Sequence, residues 1–324
     1  MTIRGLDIFC GAGGSSAGAQ AAGVVIAGGI DMCAQATETF QSNFPDAAVV
    51  NDRLERVNLG KLKRRIGGID LLMASPECTN HTCAKGAAPR SEASRATALL
   101  VIEYARAFRP RWLVLENVVH MRPWSRYAEL KGELQALGYN LQEQVLDASD
   151  FGVAQTRRRL FLVGDRRTEP QTVTARRAGR RPTVKSILDR TGTWSTSPLF
   201  HNRRAEGTLQ RAQRAFDALG KSARFLLVYY GSDGSGGWQP LDRPLRTITT
   251  VDRFALVESI EHSPTMRMLQ VPELKRAMGF DDEFQLPVGT RRDRIRLLGN
   301  GVCPPVMQAV ISSLTGLEAH EARP

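Results

Sequence analysis

The chain has 324 residues and a mass of 35.7 kDa, enough for one large domain or two smaller ones with a buried core. Hydrophobic residues make up 42% and charged residues 24%, which excludes wholesale disorder. The five cysteines form no CxxC pair, so we expect reduced thiols rather than a disulfide scaffold. The chain has no run of 18 apolar residues and no signal-like start, so we expect neither a membrane span nor export.

The basic excess lies in one part of the chain. Residues 151–260 carry 20 basic and 9 acidic side chains, which is the whole net charge of +11, while residues 1–150 and 261–324 are each balanced. Such a localised excess is typical of a surface that binds a polyanion such as nucleic acid. On charge alone, a solvated arginine-rich face is an equally good interpretation.

Residues 1–165 alternate short apolar runs with helical patterns such as Ala93–Phe108 and Tyr127–Leu137. Apolar runs without alternation are typical of strands buried on both faces of a sheet. We therefore predict a doubly wound, mostly parallel α/β domain. The predicted strands are Leu6–Phe9, Val24–Ala27, Ala48–Val50, Asp70–Ala74, Trp112–Leu115, Gln144–Leu146 and Leu160–Val163.

The alternation ends near Thr168. A helix is predicted over Thr208–Leu219 and a strand over Phe225–Tyr230, and the Gly-, Ser- and Asp-rich stretch Gly231–Gly237 predicts a loop. Regular structure resumes at Leu256–Ile260, Val271–Met278 and Val306–Leu314. We predict a first domain over residues 1–167, a smaller basic domain over 168–260, and a C-terminal segment over 261–324 that returns to the first domain.

A glycine-rich turn, Asp7–Gly14, follows the first predicted strand and opens a helix. Glycines let the backbone approach a ligand closely, although they also serve simple tight turns. Ser16 stands where the dinucleotide fingerprint requires Gly or Ala, which argues against a nicotinamide dehydrogenase. Asp31, at the end of the second strand, could hold a ribose hydroxyl pair, and Asp52 follows the third. Together they predict a cofactor pocket at the carboxyl edge of the sheet.

Two further residues follow strands at the same edge. Cys78 lies on a loop after Asp70–Ala74, where a thiol is placed as a nucleophile, although a free cysteine is more often a core residue. Glu116 follows Trp112–Leu115 among apolar residues. Partial desolvation would raise its pKa, which suits a proton donor; a salt-bridged structural acid is the alternative.

The segment Gln155–Arg159 precedes the last predicted strand of the first domain. In an extended chain Gln155, Arg157 and Arg159 share one face, and paired arginines could bind a phosphate or a polar base edge. An exposed basic strand start is the alternative. Near the C-terminus, Gly299–Val302 is by itself only a turn.

In this order, these segments resemble the motifs of the cytosine-C5 DNA methyltransferase family of bacteria and phages. The similar segments are Asp7–Gly14 (first motif), Ser75–Cys78 (Pro-Cys), Glu116–Val118 (Glu-Asn-Val), Gln155–Arg159 (Gln-x-Arg-x-Arg), Arg243–Val257 (return from the recognition domain) and Gly299–Val302 (last motif). Residues 168–240 show no resemblance and stand where the family has its variable target-recognition region.

The sequence departs from the family at the nucleophile. Glu77 directly precedes Cys78, where the family usually has Pro, and Pro76 is displaced by one place. Counted from Asp70, Cys78 still stands at the position of the family's nucleophile. The neighbouring Glu77 carboxylate, however, disfavours formation of the Cys78 thiolate. Two other hypotheses stay open: a tRNA cytosine-C5 methyltransferase, which shares these motifs, and a catalytically degenerate DNA-binding relative.

The resemblance implies a class I S-adenosylmethionine-dependent methyltransferase fold, with residues 1–167 as the catalytic and cofactor-binding domain and 168–260 as the target-recognition domain. It implies methyl transfer to C5 of a cytosine flipped out of duplex DNA, through a covalent adduct between Cys78 and C6. Glu116 would hold N3 and the exocyclic amine, and Arg157 would contact O2. Gln155 and Arg159 would brace the site.

The implied cofactor is S-adenosylmethionine, with S-adenosylhomocysteine as product and no metal. Asp31 would hold the ribose, Asp52 the adenine amine, and Asn300 would lie near the methionine end. We expect a monomer in the cytoplasm, associated with the nucleoid, that binds double-stranded DNA; a cognate restriction endonuclease could act separately. The expected cofactor contacts are Phe9, Cys10, Gly11, Gly13, Gly14, Asp31, Met32, Asp52, Arg53, Asn300 and Val302.

Overall fold

A seven-stranded sheet organises the first half of the chain in the computed structural model, which describes residues 2–77, 91–175, 181–230, 236–260 and 263–317. The strand order is β3-β2-β1-β4-β5-β7-β6. Strands β1 to β5 are parallel, and β7 is antiparallel to both β5 and β6. The strands are β1 (Arg4–Ile8), β2 (Val25–Asp31), β3 (Ala48–Asn51), β4 (Leu71–Ala74), β5 (Trp112–Asn117), β6 (Asn140–Asp147) and β7 (Arg158–Asp165).

Helices cover both faces of this sheet. Along β4, Leu71 and Met73 belong to the core on one face, and Leu72 and Ala74 to the core on the other. This is the doubly wound, mostly parallel fold that the sequence predicted. The helices of this half are α1 (Gly14–Ala21), α2 (Ala34–Asn43), α3 (Leu59–Ile66), α4 (Glu92–Ala96), α5 (Leu100–Phe108) and α6 (Tyr127–Ala136).

The helical pattern predicted over Ala93–Phe108 is interrupted. It is divided into α4, a short 3₁₀ turn over Thr97–Leu99, and α5. Helix α5 ends at Phe108, and the next residue, Arg109, adopts the left-handed conformation with φ 50°. Periodicity predicted one helix because it reports which side chains are apolar and not how the backbone between them is hydrogen-bonded.

A second, antiparallel sheet has the strand order β10-β9-β11-β12-β8. Helix α7 (Glu206–Leu219) packs on it, with the Phe216 and Phe225 rings 5.1 Å apart edge to face. The sheet runs past the predicted boundary at residue 260, and the division into domains stays a prediction. The strands are β8 (Ser197–Pro198), β9 (Phe225–Val228), β10 (Trp238–Pro240), β11 (Phe254–Ile260) and β12 (Ser263–Met268).

The C-terminal helices α8 (Val271–Ala277), α9 (Arg291–Asn300) and α10 (Pro304–Thr315) follow the second sheet. Helix α10 packs closely on α1, because a Cβ on Gly18 would lie 2.4 Å from the carbonyl oxygen of Pro304. The segment Arg291–Thr315 is long and apolar enough to cross a membrane, but 61% of its apolar part is buried within the protein. Buried core segments have the same length and composition, so this is weak evidence for a span.

Candidate active site

The glycine turn begins directly after β1. Gly11 and Gly13 have φ of 53° and 102°, and Phe9 adopts φ 56°, which is uncommon for a residue with a side chain. A Cβ on Gly13 would lie 2.5 Å from the Phe44 ring, and one on Gly14 would lie 2.3 Å from the carbonyl oxygen of Val302. These glycines therefore let α2 and the segment after α9 approach the turn.

Asp31 closes the turn from the end of β2. Its Oδ2 accepts from Gly11 N at 3.0 Å and its Oδ1 from Cys33 N at 2.9 Å. Burial raises the pKa of this carboxyl, and the backbone hydrogen bonds oppose that change. Each carboxylate oxygen has a second lone pair, so Asp31 can still accept from a ligand hydroxyl.

The other expected cofactor residues stand at the ends of β2, β3 and α9. Met32 is exposed at 61%, and Asp52 accepts from the backbone N–H of Arg53 at 2.7 Å. Asn300 is exposed at the end of α9, and Val302 is buried. A Cβ on Gly11 would meet no described atom within 4 Å. An open turn with a carboxylate acceptor beside it fits a ligand that carries a ribose.

Beneath the turn lies a buried acid that the sequence analysis did not single out. Asp7 is fully buried, and its Oδ2 accepts from Ser16 Oγ at 2.8 Å. Its Oδ1 has no hydrogen-bond partner among the residues that the structure describes. Burial is the main cause that raises the pKa of Asp7 to about 7, and the Ser16 hydrogen bond opposes it.

Cys78, the expected nucleophile, lies outside the described residues. The chain before it is held at the same sheet edge as the glycine turn. Asn117 Nδ2 donates to the carbonyl oxygen of Pro76 at 3.0 Å, and the Ser15 and Ser75 hydroxyl oxygens are 3.2 Å apart. Asn117 also accepts from Val118 N at 2.8 Å, so its role here is to fix the entry to the Cys78 segment.

Glu116 and Arg159 form a buried ion pair at the carboxyl end of β5. Arg159 Nε lies 3.2 Å from Glu116 Oε1, and the two side chains are 15% and 8% exposed. Burial raises the pKa of Glu116, while the charges of Arg159 and Arg157 act against it. The result is a carboxyl group that takes up a proton more readily than an exposed glutamate.

Arg157 has different partners. Its Nη1 donates to Ile248 O at 3.0 Å, and its Nη2 donates to Gly299 O and Gly301 O, both at 2.8 Å. The side chain is buried at 3%. The preceding residue, Thr156, is exposed. The guanidinium therefore holds backbone carbonyls, whereas Arg159 faces the Glu116 carboxylate.

Gln155 is fully buried and also joins distant segments. Its Nε2 donates to Ala277 O at 3.0 Å, and its Oε1 accepts from Ile248 N at 2.8 Å. The two arginines and Glu116 line a common cavity of about 10 Å³ together with Cys303, which has room for about one water molecule. The structure thus brings Glu116, Arg157 and Arg159 together, with Gln155 behind them.

Asn117 and Asp7 are the residues at this edge that sequence reasoning did not assign. Asp7 stands between the buried Leu6 and Ile8 in β1, and Asn117 ends the buried strand β5. A polar side chain at such a buried strand position is the signal that could have found them. A polar side chain in a buried strand needs a hydrogen-bond partner, so its presence indicates a fixed contact nearby. Within the described ranges, no group of three or more His, Cys, Asp or Glu side chains could hold a metal ion.

A mostly parallel seven-stranded sheet, with helices on both faces and a glycine turn after β1, agrees with the class I methyltransferase fold. The model of the family described as C-5 cytosine-specific DNA methylase matches residues 3–316, so the chain belongs to this family.

Relatives with curated names support the same family. The type II methyltransferase M.AgeI of Thalassovita gelatinovora is 31% identical over 50% of this chain and 39% of its own length. The type II methyltransferase M1.HphI of Haemophilus parahaemolyticus is 30% identical over 51% of this chain and 46% of its own length. The matches thus span less than half of each of these relatives.

Solved structures agree in fold. A putative DNA modification methyltransferase encoded within an E. coli prophage aligns with a TM-score of 0.70 at 19% identity, covering 98% of this chain and 99% of that one. The Dnmt2 methyltransferase of S. pombe aligns with a TM-score of 0.70 at 16% identity, with the same coverage. At these identities the likeness concerns the fold alone.

Proposed function

We propose that this protein methylates C5 of cytosine in double-stranded DNA and uses S-adenosylmethionine as methyl donor. The observation that carries the proposal is the buried pair of Glu116 and Arg159, 3.2 Å apart, beside the anchored entry to the Cys78 segment. Family membership supports it. A carboxyl with raised pKa beside a guanidinium suits the N3 and O2 edge of a cytosine, which needs a proton and a hydrogen-bond donor.

Cytosine C5 is a weak nucleophile, and Cys78 would overcome this by covalent catalysis. The sulfur lone pair of its thiolate forms a bond to C6, and the electrons of the C5–C6 double bond become available at C5. Glu116 donates a proton to N3 as negative charge develops on the ring. With the methyl group of the donor bonded to C5 and the donor sulfur keeping the electrons of its broken S–C bond, loss of the C5 proton to water would restore the C5–C6 double bond and release the Cys78 thiolate. N3 would return its proton to Glu116. The target base must first leave the helix, which costs a few kcal/mol.

The contacts favour Arg159 over Arg157 as the residue that touches cytosine O2. Arg159 faces the Glu116 carboxylate, whereas the Arg157 guanidinium donates three hydrogen bonds to backbone carbonyls. Gln155 likewise bonds to other parts of the protein. The expectation that Arg157 supports O2 while Arg159 braces the site therefore changes in our proposal, with the two arginines exchanging roles.

S-adenosylmethionine, when bound, supplies an electrophilic methyl group on a sulfonium. Asp31 would accept from the ribose hydroxyls, and Asp52 would accept from the adenine amine. The open face of Gly11 leaves room for the rest of the cofactor, with the exposed Asn300 near its methionine end. The remaining expected contacts, from Phe9 through Val302, are part of the same proposal.

The basic middle segment would bind the DNA backbone. Its net charge of +11 suits a strongly salt-dependent interface. A monomer acting in the cytoplasm on nucleoid DNA, with a restriction endonuclease as a separate partner, fits the bacterial type II relatives. These features belong to the proposal together with the target-recognition role of residues 168–260.

Bisulfite sequencing of DNA from bacteria that express the protein tests this function and maps the target sequence. We expect protected cytosines at one short sequence, and none with Cys78→Ser, which removes the nucleophile. Purified protein with tritiated cofactor should label duplex DNA. Label on tRNA alone would contradict the DNA substrate. Cofactor binding without any transfer would instead support the degenerate relative that Glu77 suggests.

A further inference from the structure

One buried guanidinium connects three parts of the candidate active site. Arg157 directly precedes β7, two residues before Arg159. It donates to Ile248 O in the segment that enters β11 and to Gly299 O and Gly301 O beside the end of α9. These acceptors lie 91, 142 and 144 residues away along the chain.

The first connection leads to the cofactor side. The carbonyls of Gly299 and Gly301 flank Asn300, and the next residue, Val302, lies against the glycine turn. A Cβ on Gly14 would come within 2.3 Å of the Val302 carbonyl oxygen. Any shift of the Gly299 and Gly301 carbonyls therefore moves the Val302 backbone, against which the start of α1 packs.

The second connection leads to the second sheet. Ile248 lies in a segment, residues 245–250, that is fastened to the start of β7 at several points. Leu245 N donates to Ala154 O at 2.8 Å, and Ile248 N donates to Gln155 Oε1 at 2.8 Å. On its other side, Tyr230 OH, from elsewhere in the proposed target-recognition domain, donates to Thr247 O at 2.6 Å. Through the segment 245–250, this domain thus contacts Arg157.

The two segments also touch each other. A Cβ on Gly299 would lie 2.3 Å from the carbonyl oxygen of Thr249, so the backbones are in direct contact at the point where Arg157 holds both. We propose that Arg157 is a positioning residue that couples cofactor binding to DNA binding. This inference rests on the proposed function, and it gives Arg157 no contact with the DNA or the cofactor.

Coupling between two sites is a property that can be measured apart from either affinity. If DNA and cofactor each favour the arrangement that Arg157 holds, each tightens the binding of the other by the same factor. A lysine retains the positive charge but concentrates its donors on one nitrogen. It cannot hold carbonyls of both segments in the geometry of the guanidinium, so the factor should fall in Arg157→Lys.

The test is calorimetric titration of S-adenosylhomocysteine, the unreactive product, with and without a duplex that carries the mapped target sequence. In the natural protein we expect DNA to tighten this binding by about 5–150-fold. Arg157→Lys should reduce the factor to less than about twofold. Arg158→Lys, at the exposed neighbouring position, is the matched control and should retain it.

Simple destabilisation would weaken each binary complex and lower the unfolding midpoint without removing the coupling. Gln155→Leu, which frees Ile248 N but leaves Arg157 in place, provides a second variant and should reduce the factor partly. An unchanged factor in folded Arg157→Lys, or in Gln155→Leu if the first variant does not fold, would overturn the inference. So would a natural protein with no coupling. Absence of methylation or of S-adenosylhomocysteine binding would instead contradict the proposed function itself.

Discussion

Arg159 Nε lies 3.2 Å from Glu116 Oε1, and both side chains are largely buried. The arginine stands on β7 and the glutamate on the adjacent, antiparallel β5. Burial raises the pKa of Glu116 while the arginine charge holds it down. The ion pair therefore fixes the orientation of the Glu116 carboxyl, and the raised pKa lets this carboxyl carry a proton.

Replacement of Arg159 by glutamine should separate the effect of burial on the Glu116 pKa from the effect of the arginine charge. We expect methyl transfer to fall by about 10²–10³-fold, the usual cost of removing one donor from a developing negative charge. The pKa of Glu116 should rise further, because the largest opposing charge is lost. The basic limb of the pH profile should accordingly move to higher pH, as measured by initial rates on duplex DNA.

Arg158→Gln is the control for that experiment, since Arg158 is exposed beside the same strand position. It should leave the pH profile where it is. A profile for Arg159→Gln that falls in rate without moving would show that Arg159 does not influence the protonation of Glu116.

Gly14→Ala should disturb the cofactor side of the site. The new Cβ would lie 2.3 Å from the Val302 carbonyl oxygen, a backbone atom that cannot move aside alone. Overpacking of this kind destabilises by about 1–3 kcal/mol, and S-adenosylhomocysteine should bind more weakly because the Asn300 segment is displaced. Thermal unfolding and calorimetry measure both effects.

Gly132→Ala is the opposite case. Gly132 lies within α6, and a Cβ there would meet no described atom within 4 Å. Because alanine favours a helix more than glycine does, this change should stabilise the protein by about 0.5–1 kcal/mol. Equal effects at the two positions would contradict the close approach of the Val302 segment to α1.

Much of the first sheet could be predicted because its strands are apolar on both faces. Each predicted strand, such as Ala48–Val50 or Trp112–Leu115, overlaps an observed one. The antiparallel direction of β7 could not be predicted, because strand direction depends on which strands it pairs with, here β5 and β6, and the apolar pattern of a strand does not show its partners. The short strands β8 and β10 carry too little pattern to be recognised.

The site was predictable in its residue types but not in its contacts. Local spacing placed Arg157 and Arg159 on one face of an extended strand, which made them equivalent candidates. What distinguishes them is that Arg157 meets carbonyls more than 90 residues away, and no local pattern contains that information. The same holds for Asn117, whose partner Pro76 lies 41 residues earlier.

A buried ion pair at the junction of the second sheet and α8 should be essential for stability. Arg267 donates to Glu273 through two nitrogens, each at 2.7 Å, and the side chains are 4% and 0% exposed. Glu273 also accepts from Gln270 N and Asp189 N. Glu273→Gln would leave a buried arginine without its counter-charge, so the free energy of unfolding should fall by about 3–5 kcal/mol.

The matched control is Glu129→Gln, which removes an exposed carboxylate paired with Arg126 three residues away. Exposed pairs contribute little because water screens them, and the denaturant midpoint should hardly change. Similar losses in the two variants would mean that the Arg267–Glu273 pair is no more important than a surface contact.

Asp7 should make the stability of the protein depend on pH between 3.8 and about 7. Its folded-state pKa of about 7 lies above the ordinary 3.8, because burial penalises the carboxylate. A group with a raised folded pKa contributes stability that is fully present below its unfolded pKa and is lost as pH rises through the folded one. At 1.36 kcal/mol per pKa unit, the loss for such a shift is on the order of 4 kcal/mol.

Asp7→Asn removes the titration but retains an oxygen that can accept from Ser16 Oγ. We expect the natural protein to lose this stability as pH rises from the unfolded pKa of 3.8 to the folded pKa of about 7, and the variant to lose about 4 kcal/mol less over that range. Urea denaturation at several pH values measures the difference. If stability falls with pH in the same way in both proteins, the pKa of Asp7 is not raised, and a partner in addition to Ser16 stabilises its carboxylate. A difference that grows with pH would instead place a neutral carboxyl beneath the glycine turn, where it adds no negative charge next to Asp31.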